Sequence, residues 1–262
     1  MKVALCITGQ PRNVRRGIKN IHENMKFEVD VFAHAWWDSD SQKSLFVHPA
    51  GDAVSETVSN SWVSELYENF EVKKMLLDKQ IKFDVSELLE RRKLKFTNSF
   101  NVYSGLCSIY KCNELKKDYE IENGFEYDWV IKTRYDFGIS EPLELEKLNS
   151  DIVYAPNDCN HRYGFNDQFA VGSSKNMDVY SGVFPIIENV IESHKSGIYT
   201  ASYCDKPDNM GHEQIVQRQL DNNNVKFELI DFKNFLYRGD KDRTRVISTE
   251  PEAIYGRVIR EE

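Results

Sequence analysis

The 262-residue sequence has no run of eighteen or more apolar residues, so it offers no transmembrane helix. It also lacks a basic excess. Its 34 Lys+Arg against 42 Asp+Glu give a formal net charge of −8. That balance argues against a general nucleic-acid binder, whose surface must displace counterions from phosphates. The five cysteines (Cys6, Cys107, Cys112, Cys159, Cys204) form no CxxC pair and no Cys/His zinc spacing. An odd, scattered set predicts reduced thiols in a cytoplasmic protein. The apolar stretch at residues 3–7 is too short for a signal peptide, and Arg12, Arg15 and Arg16 follow at once. A mean hydropathy of −0.57 leaves room only for peripheral membrane contact. No internal repeat, low-complexity tract or strong linker is present. What is present is apolar material, 40 % of the chain with 12 % aromatic, enough for one large core. The chain is therefore expected to form a single domain over residues 1–262.

The pattern alternates. Residues 3–7 are a short continuous apolar run, as in a strand buried on both faces of a parallel sheet. Thr8-Gly9-Gln10-Pro11 follows, with the proline suited to the first turn of a helix. Val14, Ile18, Ile21 and Met25 then mark one helical face. A second buried strand at residues 29–35 completes a strand–helix–strand crossover unit. Residues 38–61 are polar and long for a connector, which predicts a mobile loop acting as a lid. Further along, strands are expected at 73–77, 127–135, 152–155, 169–171 and 225–230. Helices are expected at 86–92, at 99–119 (closed by Gly124) and at 214–220, with another capped by Asn176 and split by Pro185. A charged tail begins at about residue 238.

Four segments could carry chemistry. Thr8, Gly9, Gln10 and Arg12 sit where a strand's carboxyl end meets a helix start, the place where open α/β sheets bind ligands. Free N–H groups there favour phosphate, although neither GxGxxG nor GxxxxGK[ST] is present. In Lys132-Thr133-Arg134-Tyr135-Asp136 the alternation of a strand puts Lys132, Arg134 and Asp136 on one face. Charges inside a sheet must be paired or bind something. Asn166-Asp167-Gln168 follows Gly164 and could hydrogen-bond hydroxyls, with Asp167 as a base, or could be turn chemistry. His212-Glu213 opens a helix but is not HExxH, because Val216 stands at the second histidine's place. Glu213 there is either a catalytic carboxylate or a complement to the helix dipole. His34 is expected to face the same cleft as Thr8, and the Trp36-Trp37 pair to pack in the core. Asp158, Cys159 and His161 match no familiar metal site.

Taken in order, ALCITGQPR, VFAHAW, YDWVIKTRYDF, FNDQFAVGSSKNMDVY and HEQIVQRQL resemble a group of small GT-A-type glycosyltransferases of bacteria and viruses, over roughly the first 220 residues. The resemblance implies a Rossmann-like α/β fold with a mostly parallel central sheet and helices on both faces. It implies a nucleotide-sugar donor, with residues 8–12 beside the nucleotide, and a glycan or other hydroxyl acceptor. Arg134-Tyr135-Asp136 stands where such enzymes carry Asp-x-Asp on a divalent metal. Arg134 replaces the first carboxylate. Either Asp136 with diphosphate oxygens holds Mg²⁺ or Mn²⁺, or Arg134 itself neutralises the diphosphate. Asp167 and Glu213 are the candidate bases, for an inverting reaction. Two other functions remain open on the residues: a non-catalytic carbohydrate- or nucleotide-binding module, and a metal-dependent phosphohydrolase using Asp136, Asp167 and His161.

Overall fold

The computed structural model describes residues 1–40, 42–47, 53–83, 99–157, 165–192, 211–237 and 245–246. The chain runs β1 (Val3–Gly9), α1 (Val14–Asn24), β2 (Asp30–Trp36), β3 (Lys43–Val47), β4 (Ala53–Thr57), α2 (Ser61–Asn69), β5 (Glu71–Asp78) and α3 (Ser99–Asn123). It continues through β6 (Trp129–Arg134), β7 (Phe137–Ile139), β8 (Ile152–Pro156), β9 (Ala170–Gly172), α4 (Ser174–Ser181) and α5 (Ile187–Glu192). α6 (His212–Asn222), β10 (Lys226–Ile230), β11 (Asn234–Leu236) and β12 (Arg245–Val246) follow.

Seven strands form the central sheet in the order β10-β8-β9-β6-β1-β2-β5. β1 is parallel to β2 and to β6, and β2 to β5, while β9 runs antiparallel to both β6 and β8. The apolar run of β1 is buried on both faces because each face has its own helix layer. Leu5 and Ile7 pack with Val14, Ile18 and Ile21 of α1. Ala4 and Cys6 pack with Leu106, Ile109 and Cys112 of α3. Each fully buried aliphatic side chain of this kind contributes about 1.5–3 kcal/mol. The α/β class, the mostly parallel sheet and the helices on both faces are those the sequence predicts. The three described cysteines, Cys6, Cys107 and Cys112, are free and buried. No helix among the described residues is long and apolar enough to cross a membrane.

Several local expectations change. Pro11 lies outside α1, which starts at Val14 behind Asn13 in a left-handed conformation (φ 48°) that asparagine tolerates better than most residues. The polar stretch at 38–61 holds an antiparallel hairpin of β3 and β4 rather than only loop. α4 is preceded by Ser173, and Asn176 falls inside the helix. Pro185 does break the following apolar run, in a 3₁₀ turn at Phe184–Ile186. The expected helix at 86–92 lies outside the described residues, as does the tail beyond 237 apart from β12, which pairs with β11.

Candidate active site

β1 and β6 are neighbours, but the chain leaves them in opposite directions. From β1 it passes through α1 to β2 and β5 on one side. It then returns under α3 to β6 on the other side. This reversal opens a crevice at the carboxyl ends of β1 and β6, the place where ligands enter open α/β sheets. A cleft of about 280 Å³ lies there.

One wall is the exit of β1, with Thr8, Gly9, Gln10 and Arg12. Gly9 has φ 107°, a conformation that a side chain would strain, although a Cβ there would meet nothing within 4 Å. Its N–H is not offered to a ligand, because it donates to Ser108 Oγ of α3 at 2.8 Å. Behind this contact a buried relay holds the turn. The Ser108 hydroxyl meets His34 Nδ1 at 2.7 Å, and His34 Nε2 meets Asp78 Oδ2 at 3.2 Å. Asp78 also accepts from the Lys111 ammonium. With Nε2 facing a carboxylate, the ring carries its proton there and Nδ1 accepts from Ser108. Burial pushes His34 down to about 4, against the pull of Asp78. His34 is fully buried and does not line the cleft, contrary to the sequence expectation, because α3 covers it.

The floor comes from β6, where Lys132 and Arg134 project into the cleft on the α3 side and Tyr135 is buried against the α1 layer. The Lys132 ammonium donates to the main-chain carbonyl of Asp167. Arg134 forms a two-pronged pair with Asp136, Nε to Oδ1 at 2.8 Å and Nη2 to Oδ2 at 2.9 Å. Asp136 lies past the strand end, in the turn before β7. There its carbonyl accepts from the Tyr237 N–H at 2.8 Å. It is 2 % exposed and does not line the cleft.

The third wall joins two distant segments. Phe165 N–H donates to the Glu213 carbonyl at 3.0 Å, which ties the loop before β9 to the start of α6. Asn166 turns that loop by accepting from the N–H groups of Gln168 and Phe169 at 2.6 and 3.3 Å, so this residue serves turn chemistry. Asp167, Gln168, His212 and Glu213 line the cleft. His212 Nδ1 stands 3.6 Å from Asp167 Oδ2. Burial opposes charge on Asp167, but His212, Lys132 and Arg134 outweigh it and hold the carboxyl below its usual range. Burial lowers His212. Gln168 Oε1 is buried with no hydrogen-bond partner among the described residues.

α3 closes the site with Trp36 of β2, and sequence reasoning missed both. Asn101, Ser104, Gly105 and Ile109 face the cleft. A Cβ on Gly105 would come within 2.2 Å of His212 Nε2, so only glycine lets that ring lie on the helix. No local signal marks them, because α3 mixes polar, small and apolar residues along its length. Trp37 packs on Trp62 in the core as expected, at 5.6 Å between ring centroids. Trp36 is also buried, but it borders the cleft as well. Asp158, Cys159 and His161 lie outside the described residues.

The divalent cation implied by the Asp-x-Asp position can be tested against these side chains. Asp136 does not fit as its ligand, since both carboxylate oxygens are engaged by Arg134 and the group is shut off from the cleft. Among the described residues no group of three or more His, Cys, Asp or Glu side chains is arranged to hold a metal ion. The cleft is lined instead by three cationic side chains, Arg12, Lys132 and Arg134, together with Asp167 and Glu213.

No curated protein matches the sequence. Among solved structures the chain is similar to the crystal structure of mouse xyloside xylosyltransferase 1 in its apo form, with 9 % identity and a TM-score of 0.40, over 87 % of this chain and 84 % of that one. A family whose description is Domain of unknown function (DUF7796) matches residues 1–202, most of the length, and the chain belongs to that family.

Proposed function

We propose that this chain is a glycosyltransferase that moves a sugar from a nucleotide-sugar donor to a glycan or other hydroxyl acceptor. The observation that carries the reading is convergence. Thr8, Gly9, Gln10, Arg12, Arg134, Asp167 and Glu213, singled out in four separate segments, border one cleft at the reversal of strand order. Cations and carboxylates in one cleft suit the chemistry. The bond between the sugar's anomeric carbon and the diphosphate oxygen breaks, and negative charge develops on the leaving oxygen. Arg12 and Arg134 meet that charge, and fixed charges of this kind lower the barrier when they favour the transition state over the ground state. The acceptor hydroxyl must lose its proton as it attacks. Neighbouring cations depress the proton affinity of Asp167, which makes it a poor base. Glu213 is assigned that step, with Asp167 orienting His212. No step is routed through a metal.

A coupled assay for released nucleotide, run over UDP-, GDP- and dTDP-sugars, tests the reading. Turnover with at least one donor, increased by an added acceptor, is expected. Donor binding without any nucleotide release would leave a binding module. Silence in binding and turnover alike would end the transferase reading.

A further inference from the structure

Lys132 is a buried cation without an ion pair. It is 3 % exposed, it lines the cleft, and its ammonium hydrogen-bonds to a neutral main-chain carbonyl, that of Asp167. Among the described residues no carboxylate lies within ion-pairing distance of it. The titratable and charged groups around it are Arg134 of its own strand, Asp136 beyond the strand end, Cys6 beside it on β1, Asp167 before β9, Cys112 of α3 and His212 of α6. The nearest fixed charge is of mixed sign, and burial pulls the ammonium down to about 8. A charge held out of water needs a counter-charge. A carbonyl occupies one of its three donors, which leaves two for a ligand.

Resting on the transferase reading above, we propose that Lys132 is the direct contact of the cleft for the pyrophosphate group of the donor, supplying beside Arg134 the positive charge that a divalent cation would otherwise bring. The unpaired ammonium is then the empty half of an ion pair that the ligand completes. Lysine suits this place as a compact point charge, whereas the neighbouring guanidinium is already committed to Asp136. Binding of the anion also holds the proton on Lys132, so affinity depends on pH in a window set by this residue. Asp167 and His212 are both held below their usual ranges and the Cys112 thiol lies well above its own. Lys132, brought down to about 8, itself changes charge between pH 7.5 and 9.5.

The experiment is calorimetric titration of UDP, GDP, dTDP and inorganic pyrophosphate into the wild-type protein, Lys132→Met and Lys132→Arg, in EDTA at pH 7.5. Wild type should bind pyrophosphate and at least one nucleoside diphosphate without metal. Lys132→Met should weaken both by about 10–100-fold, the range of a charge-assisted hydrogen bond, and Lys132→Arg should recover most of the loss. Equal affinity in wild type and Lys132→Met, or binding that appears only with added Mn²⁺, overturns the inference and leaves the transferase reading standing. Pyrophosphate binding through Lys132 with no nucleotide bound upholds the anion site and overturns the transferase reading. No binding of any probe to wild type overturns both. Should Lys132→Met fail to fold, wild type alone still decides the matter. The nucleotide's own phosphates are fully ionised above about pH 7.5. Its affinity should therefore fall roughly 25-fold from pH 7.5 to 9.5 as Lys132 loses its proton. A flat profile contradicts the proposal.

Discussion

Two lysines are buried among the described residues, Lys116 and Lys132, and their surroundings differ. Lys116 of α3 is fully enclosed between α3 and α4, where its ammonium meets Glu120 Oε2 at 2.9 Å, Asp178 Oδ1 at 2.8 Å and Ser174 Oγ at 2.5 Å. Glu120 is satisfied in turn by Ser174 Oγ at 2.7 Å and the Tyr127 N–H at 2.8 Å. Every charge in that cluster has its complement inside the protein, so its work is to join helices to the sheet. Lys132 faces a cleft with a carbonyl for company. A buried cation complete in itself is a structural part, and one left incomplete at a crevice points to a ligand.

Substitutions separate the two lysines. The largest effect on the fold should come from Lys116→Met, which strands Glu120 and Asp178. Breaking a buried pair of this kind costs about 3–5 kcal/mol, which corresponds to a fall in Tm of roughly 6–20 °C in a protein this size. Thermal unfolding measures it, and nucleotide affinity of the folded fraction should not change. Lys132→Met should do the reverse, lowering Tm by no more than a few degrees while affinity collapses. Similar Tm losses for both would erase the distinction.

Asp136→Asn comes next. It removes the charge that holds Arg134 in its two-pronged pair. Turnover should fall at least about 100-fold, as when a transition-state charge stabiliser is lost, and added Mn²⁺ should not restore it. Near wild-type nucleotide release, or rescue by the metal, would refute the part given to Arg134.

The buried relay behind Gly9 predicts a smaller effect, dependent on pH. His34 is held near 4 when folded against 6.5 unfolded, so the unfolded state binds more protons between those values. Stability from this residue is therefore complete above about pH 6.5 and is lost as pH falls toward 4, by about 2 kcal/mol between pH 7 and 5. Thermal unfolding across that range should show the slope, and His34→Gln should flatten it. The smallest effect belongs to Gly9→Ala. With open space around a Cβ and φ at 107°, only backbone strain is added, about 1 kcal/mol. It should appear as a Tm shift of a few degrees with a modest rise in donor KM.

Much of the fold was legible because its strands are buried on both faces. Residues 3–7 are a continuous apolar run, 29–35 and 127–135 are apolar stretches interrupted by a few polar residues, and all three became central strands. The turn at Pro11 was misread because Asn13, in a left-handed conformation, delays the helix to Val14. In the cleft, residues near strand ends could be found from strand logic alone, as Thr8 to Arg12 and Arg134 were. Asp136 misled that logic. Alternation puts it with Arg134, but the strand ends at Arg134 and the next turn folds the carboxylate back as the arginine's partner. The contribution of α3 was invisible for a different reason. Asn101, Ser104 and Gly105 meet the cleft only because a crossover places that helix over β1 and β2, and no local pattern records such a contact.

The central claim is that the crevice between β1 and β6 holds a nucleotide's pyrophosphate on cationic side chains. A crystal structure with the best-binding nucleoside diphosphate, grown in EDTA, tests it most directly. Phosphate oxygens are expected within hydrogen-bonding distance of Lys132 Nζ and the Arg134 guanidinium, with the Arg134–Asp136 pair intact. Contradiction would come from phosphates bound elsewhere, such as the depression bordered by Met1, Lys26 and Asp30 at the opposite ends of the strands, or from Arg134 released and Asp136 turned into the cleft.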